Sequence, residues 1–195
     1  MEASSLLTRG RPRDSRVDSA IRDAVLELLA TSGYAGTTID RITAQAGVGK
    51  AAVYRRWQSK AELVFAVVVH PIALGPPPDT GSLEGDLTAV AAIVRDRLSN
   101  ATAAAALAAL AAELLSAPEI ADALDERLFA EERRWLEEIL TRARARGELR
   151  TGPVEPSLVR QAVIGPIALA VLFSPGAPVP TANAVAGLVA HGLSP

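Results

Sequence analysis

One short segment within the first third of this 195-residue chain carries basic side chains and a tyrosine at helical spacing. On a helix, Lys50, Tyr54 and Arg55 lie on one face, at i, i+4 and i+5, while Val53 and Trp57 lie on the opposite face. Ammonium and guanidinium groups bind phosphate oxygens and the acceptor atoms of guanine in the major groove. The spacing therefore predicts a helix that contacts DNA with one face and packs into its own domain with the other.

The distribution of charge favours a polyanionic partner for the N-terminal end alone. The whole chain has 20 Lys and Arg against 22 Asp and Glu, a formal charge of −2. Residues 1–63 have ten basic against seven acidic residues, a net charge of +3, so the remainder carries −5. Such a division is typical of a protein in which only one end contacts nucleic acid.

The elements around the basic segment predict a helix-turn-helix. This motif needs a short helix, a tight turn containing glycine, and a second helix held nearly perpendicular to the first. Gly47 supplies the turn, and two capping patterns, Thr37 with Asp40 and Ser59 with Glu62, mark helix starts on either side. Small apolar residues form the wedge between the two helices: Ile39, Ile42, Ala46 and Val48.

Helical periodicity continues through most of the chain, and no strand pattern competes with it, so we predict an all-α fold of about nine helices. The domains are predicted as a basic arm over 1–13, a DNA-binding domain over 14–70, a Pro/Gly-rich linker over 71–81 and a helical regulatory and dimerisation domain over 82–195. Within the last of these, one long helix is expected from Pro118 to Gly147.

The segment from Tyr34 to Leu63 resembles the DNA-binding domain of the tetracycline-repressor (TetR) family. The matching residues are Gly36-Thr37-Thr38, Ile42, Ala46-Gly47-Val48, Tyr54, Lys60 and Leu63. Three positions depart from the family pattern. Thr43 stands where alanine is usual, Trp57 replaces phenylalanine, and Gly49 replaces a serine that would cap the helix and contact a phosphate.

The resemblance implies a role for each residue of the motif. Thr38 would meet a phosphate at a helix N-terminus, and Lys50, Ala51 and Ala52 would lie at the end that enters the groove. Tyr54 and Arg55 would contact phosphates or base edges. Further DNA contacts are expected from Arg56, Lys60 and an N-terminal minor-groove arm that contains Arg9, Arg11 and Arg13.

Dimerisation is expected because one helix-turn-helix contacts few bases, and such modules bind palindromic double-stranded DNA as pairs. The last two helices carry more apolar surface than a small core requires, and the family resemblance also implies that they form a four-helix bundle between two copies. Burial in the monomer core is the alternative for these residues: Leu158, Ala162, Ile167, Ala170, Phe173, Val185, Leu188 and Val189.

A cavity for a small effector is expected between the linker and the last two helices. Its candidate lining residues are Leu107, Leu110, Glu113, Leu114, Phe129, Trp135, Gln161 and Val163, although an apolar helical residue is more often simply core. Because few ionisable groups are expected inside, a lipophilic effector is favoured over a charged one.

The predicted function is a ligand-responsive repressor that binds a palindromic operator as a homodimer and is released by a small effector. An activator, or a regulator controlled by a protein partner, is the nearer alternative. A small helical enzyme is a distant one, since His70 and His191 are isolated and no nucleophile elbow or metal-ligand spacing occurs. No cofactor or metal is expected. With no apolar run of the length that spans a membrane and no signal peptide, a cytoplasmic protein is expected.

Overall fold

A computed structural model of the protein describes residues 15–69, 75–116, 125–126, 128–173 and 182–195. Within these ranges there are nine helices and no strand, which confirms the prediction of an all-α fold. The helices are α1 (Ser15–Gly36), α2 (Ile39–Ala46), α3 (Lys50–Tyr54), α4 (Lys60–Val68), α5 (Leu83–Leu98), α6 (Ala101–Ser116), α7 (Ala130–Ala145), α8 (Pro156–Phe173) and α9 (Ala182–Leu193).

The chain divides into two compact units between Gln58 and Ser59. The first unit contains α1 to α3 and the second contains α4 to α9. The domain limits drawn from the sequence, with a linker at 71–81, stay a prediction.

The first unit has a core built on the apolar stripe of α1. Five of its residues, spaced at i, i+3, i+4, i+7 and i+8, are buried as their spacing predicts: Ile21, Ala24, Val25, Leu28 and Leu29. Ile42 from α2 and Val53 from α3 are fully buried in the same unit. Burying one such aliphatic side chain contributes on the order of 2 kcal/mol, so these contacts fix how the short helices are held.

Helix ends in the first unit follow the local signals, with one shift. Gly47 ends α2 with φ +66° and donates its N–H to the carbonyl of Thr43, a left-handed conformation that glycine adopts at little cost. The residue that caps α2 is Thr38, whose hydroxyl accepts from the backbone N–H of Arg41 at 3.3 Å. The expected cap, Thr37, is one residue too early and instead donates to the Gly33 carbonyl at 2.8 Å.

The second unit is organised around α5, which packs against α6, α7, α8 and α9. Its inward residues recur at helical spacing and are all buried, as predicted from the sequence: Leu83, Leu87, Val90, Ala91, Val94 and Leu98. Helix α6 packs against α4, α5 and α8, and its Ala103 and Ala106 are fully buried. Alanines at these positions allow the helix axes to approach closely.

The prediction of one uninterrupted helix from Pro118 to Gly147 is wrong. Phe129 has φ −115° and ψ 15°, which is not helical, and α7 begins only at the next residue. Its ring lies edge-on to Phe65 with centroids 6.1 Å apart, and the guanidinium of Arg160 lies 4.6 Å from its centroid. The break in the helix thus occurs at a residue whose ring makes tertiary contacts, and such contacts cannot be read from helical periodicity.

A buried carboxylate, Asp86, fastens the segment that precedes α5. Both the backbone N–H and the hydroxyl of Thr80 donate to Asp86 Oδ1, at 2.6 and 2.8 Å. The guanidinium groups of Arg142 and Arg146 lie 3.6 and 3.7 Å from Oδ2. A Cβ at position 85 would overlap the Thr80 hydroxyl, so Gly85 is what allows the segment to cross this closely.

Helix α8 corrects the expectation that no segment is long and apolar enough to span a membrane. Its 18 residues have a mean hydropathy of 1.6 and meet the criteria of length and composition alone. The helix packs against α5, α6, α7 and α9. Its Arg160 is buried in an ion pair with Asp125, as suits a helix within a folded domain.

Candidate nucleic-acid interface and cavity

Helix α3 is short, and its capping follows from the glycine at its start. Gly49 is the N-cap and makes no side-chain hydrogen bond to the helix, so the cap that serine would supply is missing. A glycine cap costs only a few tenths of a kcal/mol relative to serine. The helix ends at Tyr54, because the backbone tightens into a turn in which the Arg56 N–H donates to the Val53 carbonyl at 2.9 Å.

The two faces of α3 differ in exposure as the spacing predicts. Val53 is fully buried, whereas the side chain of Lys50 is 58% exposed and Tyr54 is 53% exposed. Ala51 and Arg55 are also exposed, and Ala52 is half-buried. An exposed tyrosine beside two cations is a surface suited to phosphate and base contacts.

Electrostatics on this face are modified by an acidic residue of α2. Asp40 is 70% exposed and forms an ion pair with Lys50. This carboxylate raises the pKa of the Lys50 ammonium, first through their hydrogen bond and then through charge attraction. Lys50 is therefore fully protonated at neutral pH, but part of its field is offset by a neighbouring negative charge.

Thr38 and Thr43 have separate roles. Thr38 is exposed at the N-terminus of α2, where free backbone N–H groups favour an anion. Thr43, which departs from the family pattern, is buried, and its hydroxyl donates to the Asp40 carbonyl at 3.0 Å. The extra hydroxyl is thus satisfied within its own helix.

Arg56 has a structural role that the sequence did not predict. Its guanidinium forms an ion pair with Asp18 of α1, and both side chains are less than a fifth exposed. It also donates to the Ala52 carbonyl at 2.9 Å. The phosphate contact expected of Arg56 stays a prediction, and in this structure its charge holds α3 to α1.

The remaining predicted DNA contacts are Lys60 and the three arginines of the N-terminal arm. Lys60 begins α4 in the second unit, where partial burial lowers the pKa of its ammonium. Arg9, Arg11 and Arg13 lie outside the described residues.

An apolar stripe runs along one side of α8, and the neighbouring helix α9 also has an exposed leucine. The large exposed side chains include Leu158 (65% exposed), Leu169 (56%), Phe173 (77%) and Leu188 (78%). Ala162 and Pro166 are exposed between those of α8, which gives positions 158, 162, 166, 169 and 173, a single helical face. We name this surface, with Leu188, the α8–α9 apolar face.

The predicted dimer residues divide between this face and the core. Leu158, Ala162, Phe173 and Leu188 belong to the α8–α9 apolar face, and Ala170 and Val189 are half-buried. Ile167 and Val185 were wrongly placed at the interface, since both are buried within the unit, at 0% and 7% exposure. Leu169 and Pro166 were not predicted as interface residues, although their helical spacing from Leu158 and Ala162 could have identified them.

A cavity of about 120 Å³ lies within the second unit. Helices α4 to α8 and Phe129 contribute to its wall, and Phe65, Val94, Leu98 and Ile164 are among its apolar lining residues. Two of the predicted lining residues, Leu107 and Phe129, are brought together there.

The other residues predicted for the cavity are placed elsewhere. Leu110 and Val163 are core residues, Leu114 is half-buried, and Gln161 is exposed. The indole of Trp135 donates to the Gly75 carbonyl at 3.0 Å. Glu113 accepts from the Ser59 hydroxyl at 2.8 Å.

Three ionisable side chains line the cavity: Arg97 from α5, Glu132 from α7 and Arg160 from α8. The surface that these side chains present to the cavity is nonetheless almost entirely apolar, so the preference for a lipophilic effector stays a prediction. The Arg97 Nη1 and Glu132 Oε1 atoms are 3.6 Å apart. Burial is the main reason that the pKa of Glu132 rises to about 7. Arg97, Glu132 and Arg160 are far apart in sequence, so no sequence motif could identify them.

Both units match known protein families. A family model for bacterial regulatory proteins of the tetR family matches residues 21–67, and one for the tetracyclin repressor-like C-terminal domain matches residues 77–190. An uncharacterised HTH-type transcriptional regulator of Mycobacterium bovis is 31% identical over 153 residues, which cover 76% of this chain and 75% of the relative.

Two further similarities bear on function and fold. A DNA-binding transcriptional repressor, TetR, of Mycobacteroides abscessus is 33% identical over 92 residues, 46% of each chain. The crystal structure of the TetR family transcription regulator SCO0332 superposes with a TM-score of 0.70 at 26% identity, covering 92% of this chain and all of that one.

Proposed function

From the premise that this chain belongs to the tetracycline-repressor (TetR) family of transcriptional regulators, we propose that it is a repressor that binds a palindromic operator as a homodimer. A small effector bound in the second unit releases it from DNA. The observation that carries this proposal is the division of α3 into a buried side and an exposed side that bears Lys50, Tyr54 and Arg55.

DNA recognition by α3 follows from the chemistry of its exposed side. Lys50 can reach guanine O6 and N7 in the major groove, and the exposed methyl of Ala51 suits the methyl group of thymine. Tyr54 and Arg55 supply contacts to phosphates or base edges, and Thr38 a phosphate contact at the start of α2. Arg9, Arg11 and Arg13 are proposed as a minor-groove arm, and Lys60 as a further phosphate contact.

A second copy of the chain is the proposed partner for the α8–α9 apolar face. Solvent-exposed leucines and a phenylalanine on two helices that pack together are costly to leave in water. Two such faces related by a two-fold axis form a four-helix bundle. The same symmetry would present two α3 helices to half-sites one turn of DNA apart, about 34 Å.

Effector control is proposed to act by population shift. The dimer is proposed to have two forms, one with its α3 helices correctly spaced for adjacent major grooves and one with them wrongly spaced. A ligand that binds the second form more tightly weakens operator binding, and the size of the effect is set by the difference in its affinity for the two forms. The cavity of the second unit is the proposed site for that ligand.

The sign of regulation rests on analogy with the Mycobacteroides abscessus relative, whose name describes a repressor. A regulator of transcription works where the chromosome is, so we place the protein in the cytoplasm and assign it no enzymatic activity. An activator would bind the same operator but raise transcription, which a reporter assay with the operator placed over or upstream of the promoter distinguishes.

The decisive experiment begins with selection of bound duplexes from a random pool. On the selected palindrome, the double variant Lys50→Ala, Tyr54→Ala is expected to lose at least about 100-fold in affinity, since good base and phosphate contacts are worth about 1–3 kcal/mol each. Fluorescence anisotropy measures the affinity, and circular dichroism confirms that the variant is folded.

A matched control removes one positive charge elsewhere. Arg134 is 70% exposed on α7, so Arg134→Ala is expected to bind the operator like the wild type. Wild-type affinity in the Lys50, Tyr54 double variant would contradict α3 as the recognition helix.

A further inference from the structure

The carboxylate of Asp40 lies against α3 and not against the start of its own helix. A capping pattern of Thr37 with Asp40 would place this carboxylate on the backbone N–H of Thr37. That N–H instead donates to the Tyr34 carbonyl at 3.2 Å, and the carboxylate forms an ion pair with Lys50 of α3. An acidic residue of α2 is therefore a partner of the first residue of α3.

Folding stability does not account for this ion pair. The side chains of Lys50 and Asp40 are 58% and 70% exposed, and ion pairs in water contribute little to the free energy of unfolding. The two helices are already anchored by Ile42 and Val53, both of which are fully buried. The pair is thus free to serve the outer surface of α3.

The number of donors on Lys50 matches one base. An ammonium group has three N–H donors, and the ion pair engages one of them with Asp40 Oδ1. Two donors are left for a ligand. Guanine presents two adjacent acceptors, N7 and O6, at its edge in the major groove, and lysine is one of the side chains that bind both.

The same carboxylate weakens the attraction of Lys50 for phosphates. Contacts to phosphates carry no sequence information and supply essentially all of the non-specific binding of a protein to DNA. A paired negative charge offsets the charge of the ammonium and itself repels a phosphate. Because the acceptor atoms of guanine are uncharged, Asp40 penalises phosphate contacts more than a guanine contact.

We propose that Asp40 is a positioning residue that determines the sequence specificity of α3. It holds the Lys50 ammonium so that the two remaining donors bind N7 and O6 of one guanine, and it lowers the affinity for other sequences. This inference rests on the proposed binding of an operator through α3. It deepens that proposal by naming the residue that separates guanine recognition from phosphate attraction.

The test measures affinities by fluorescence anisotropy at physiological salt. The duplexes are the selected operator, a shuffled duplex of the same composition, and operators in which each G·C pair in turn is replaced by A·T. The guanine that Lys50 contacts is the one whose replacement no longer matters to Lys50→Ala. Replacing it is expected to cost the wild type at least about tenfold in affinity, since one good base contact discriminates by about that factor.

Asp40→Asn is expected to lose this preference. Replacement of the same guanine should cost the variant less than about threefold, because its lysine is no longer held toward the base. The variant should also gain more affinity for the shuffled duplex than for the operator, so that the ratio of the two affinities falls at least about threefold. Asp40→Glu, which keeps a carboxylate beside α3, is expected to retain most of the ratio.

Two controls separate positioning from a general change of charge. Asp23 is exposed on α1 and accepts from the Ser19 hydroxyl of the same helix at 3.5 Å, so Asp23→Asn removes an equal charge and should leave the ratio unchanged. In a Lys50→Ala background, Asp40→Asn should cause no further loss of guanine preference, since the two residues act as one unit. Circular dichroism confirms that each variant is folded.

The inference is overturned if Asp40→Asn raises the affinity for every duplex by the same factor, because Asp40 would then act only as a repulsive charge. It is also overturned if the variant keeps the wild-type preference for guanine, or if Lys50→Ala loses its preference at no guanine. Failure of the proposed function gives a different result, in which the wild type binds no selected duplex or the double variant Lys50→Ala, Tyr54→Ala binds the operator as tightly as the wild type.

Discussion

Replacing Glu132 with glutamine is expected to change how the free energy of unfolding depends on pH. Glu132 is 4% exposed, and burial raises its pKa from 4.5 to about 7, although the nearby Arg97 guanidinium opposes that shift. Between these two values the folded protein holds a proton that the unfolded chain releases. Stability contributed by this group therefore falls as pH rises through that window and is constant above it.

The magnitude follows from the size of the pKa change. Each tenfold change in an ionisation constant corresponds to about 1.4 kcal/mol, so ionising Glu132 in the folded state costs roughly 3 kcal/mol. Most of this, roughly 2.5 kcal/mol, accumulates between about pH 5 and about pH 8. Glutamine has nearly the same shape and no charge to release, so Glu132→Gln should gain about that much on the wild type over this range.

Urea denaturation at a series of pH values and one fixed protomer concentration measures the difference, since association would otherwise change the apparent stability. Glu137→Gln is the control, because Glu137 lies on α7 with an exposed side chain and is not among the groups that act on Glu132; this variant should show the pH dependence of the wild type. A difference between Glu132→Gln and wild type that does not vary with pH would refute the reasoning. So would a relative loss of stability at the alkaline end, which would mean that Arg97 stabilises the carboxylate more than burial destabilises it.

Three further predictions concern charge and association. Asp86→Ala should lower the free energy of unfolding by about 3 kcal/mol, because it removes the buried carboxylate that accepts two hydrogen bonds from Thr80 and each hydrogen bond to a charged group contributes about 1.5–3 kcal/mol, whereas Asp96→Ala, at an exposed pair, should cost less than about 1 kcal/mol in the same denaturation assay. Asp40→Asn should raise operator affinity severalfold in anisotropy at low salt, since it frees the neighbouring lysine of α3, and the gain should shrink as salt increases; an unchanged affinity would contradict it. Leu169→Glu should convert the dimer to a monomer in sedimentation, whereas Leu115→Glu, at another exposed leucine, should not; a wild-type protein that is already a monomer at micromolar concentration would remove the basis for the interface.

The helices and much of the core could be predicted from the sequence because both depend on local spacing. The stripe of α1 from Ile21 to Leu29 and the stripe of α5 from Leu83 to Leu98 repeat at helical intervals, and every residue of both is buried. Ser59 was identified as a cap from its spacing to Glu62, whose backbone N–H it accepts at 3.0 Å. Such signals need no knowledge of the rest of the chain.

The cavity and the structural role of Arg56 within the motif could not be predicted because they depend on residues far apart in sequence. Arg97 and Arg160 meet around Glu132 only when three helices pack together. From the sequence of α7 alone, Glu132 looks like one more residue of a charged, solvent-exposed face. The sequence around Arg56 predicts a DNA contact, and its partner Asp18 lies 38 residues earlier in the chain. Charged residues have no periodic preference that separates an internal partner from an external one.

Helix α8 joins the cavity to the α8–α9 apolar face. Ile164 and Ala168 line the cavity, while Leu169, adjacent in sequence to the second of these, is exposed on the apolar face. Because a helix moves largely as a rigid element, a ligand that displaces the inner side of α8 must also displace its outer side. A ligand in this cavity can therefore alter the geometry of the proposed dimer without touching its interface, and filling the cavity with a larger side chain at Ala168 should perturb the proposed effector response while sparing dimer formation.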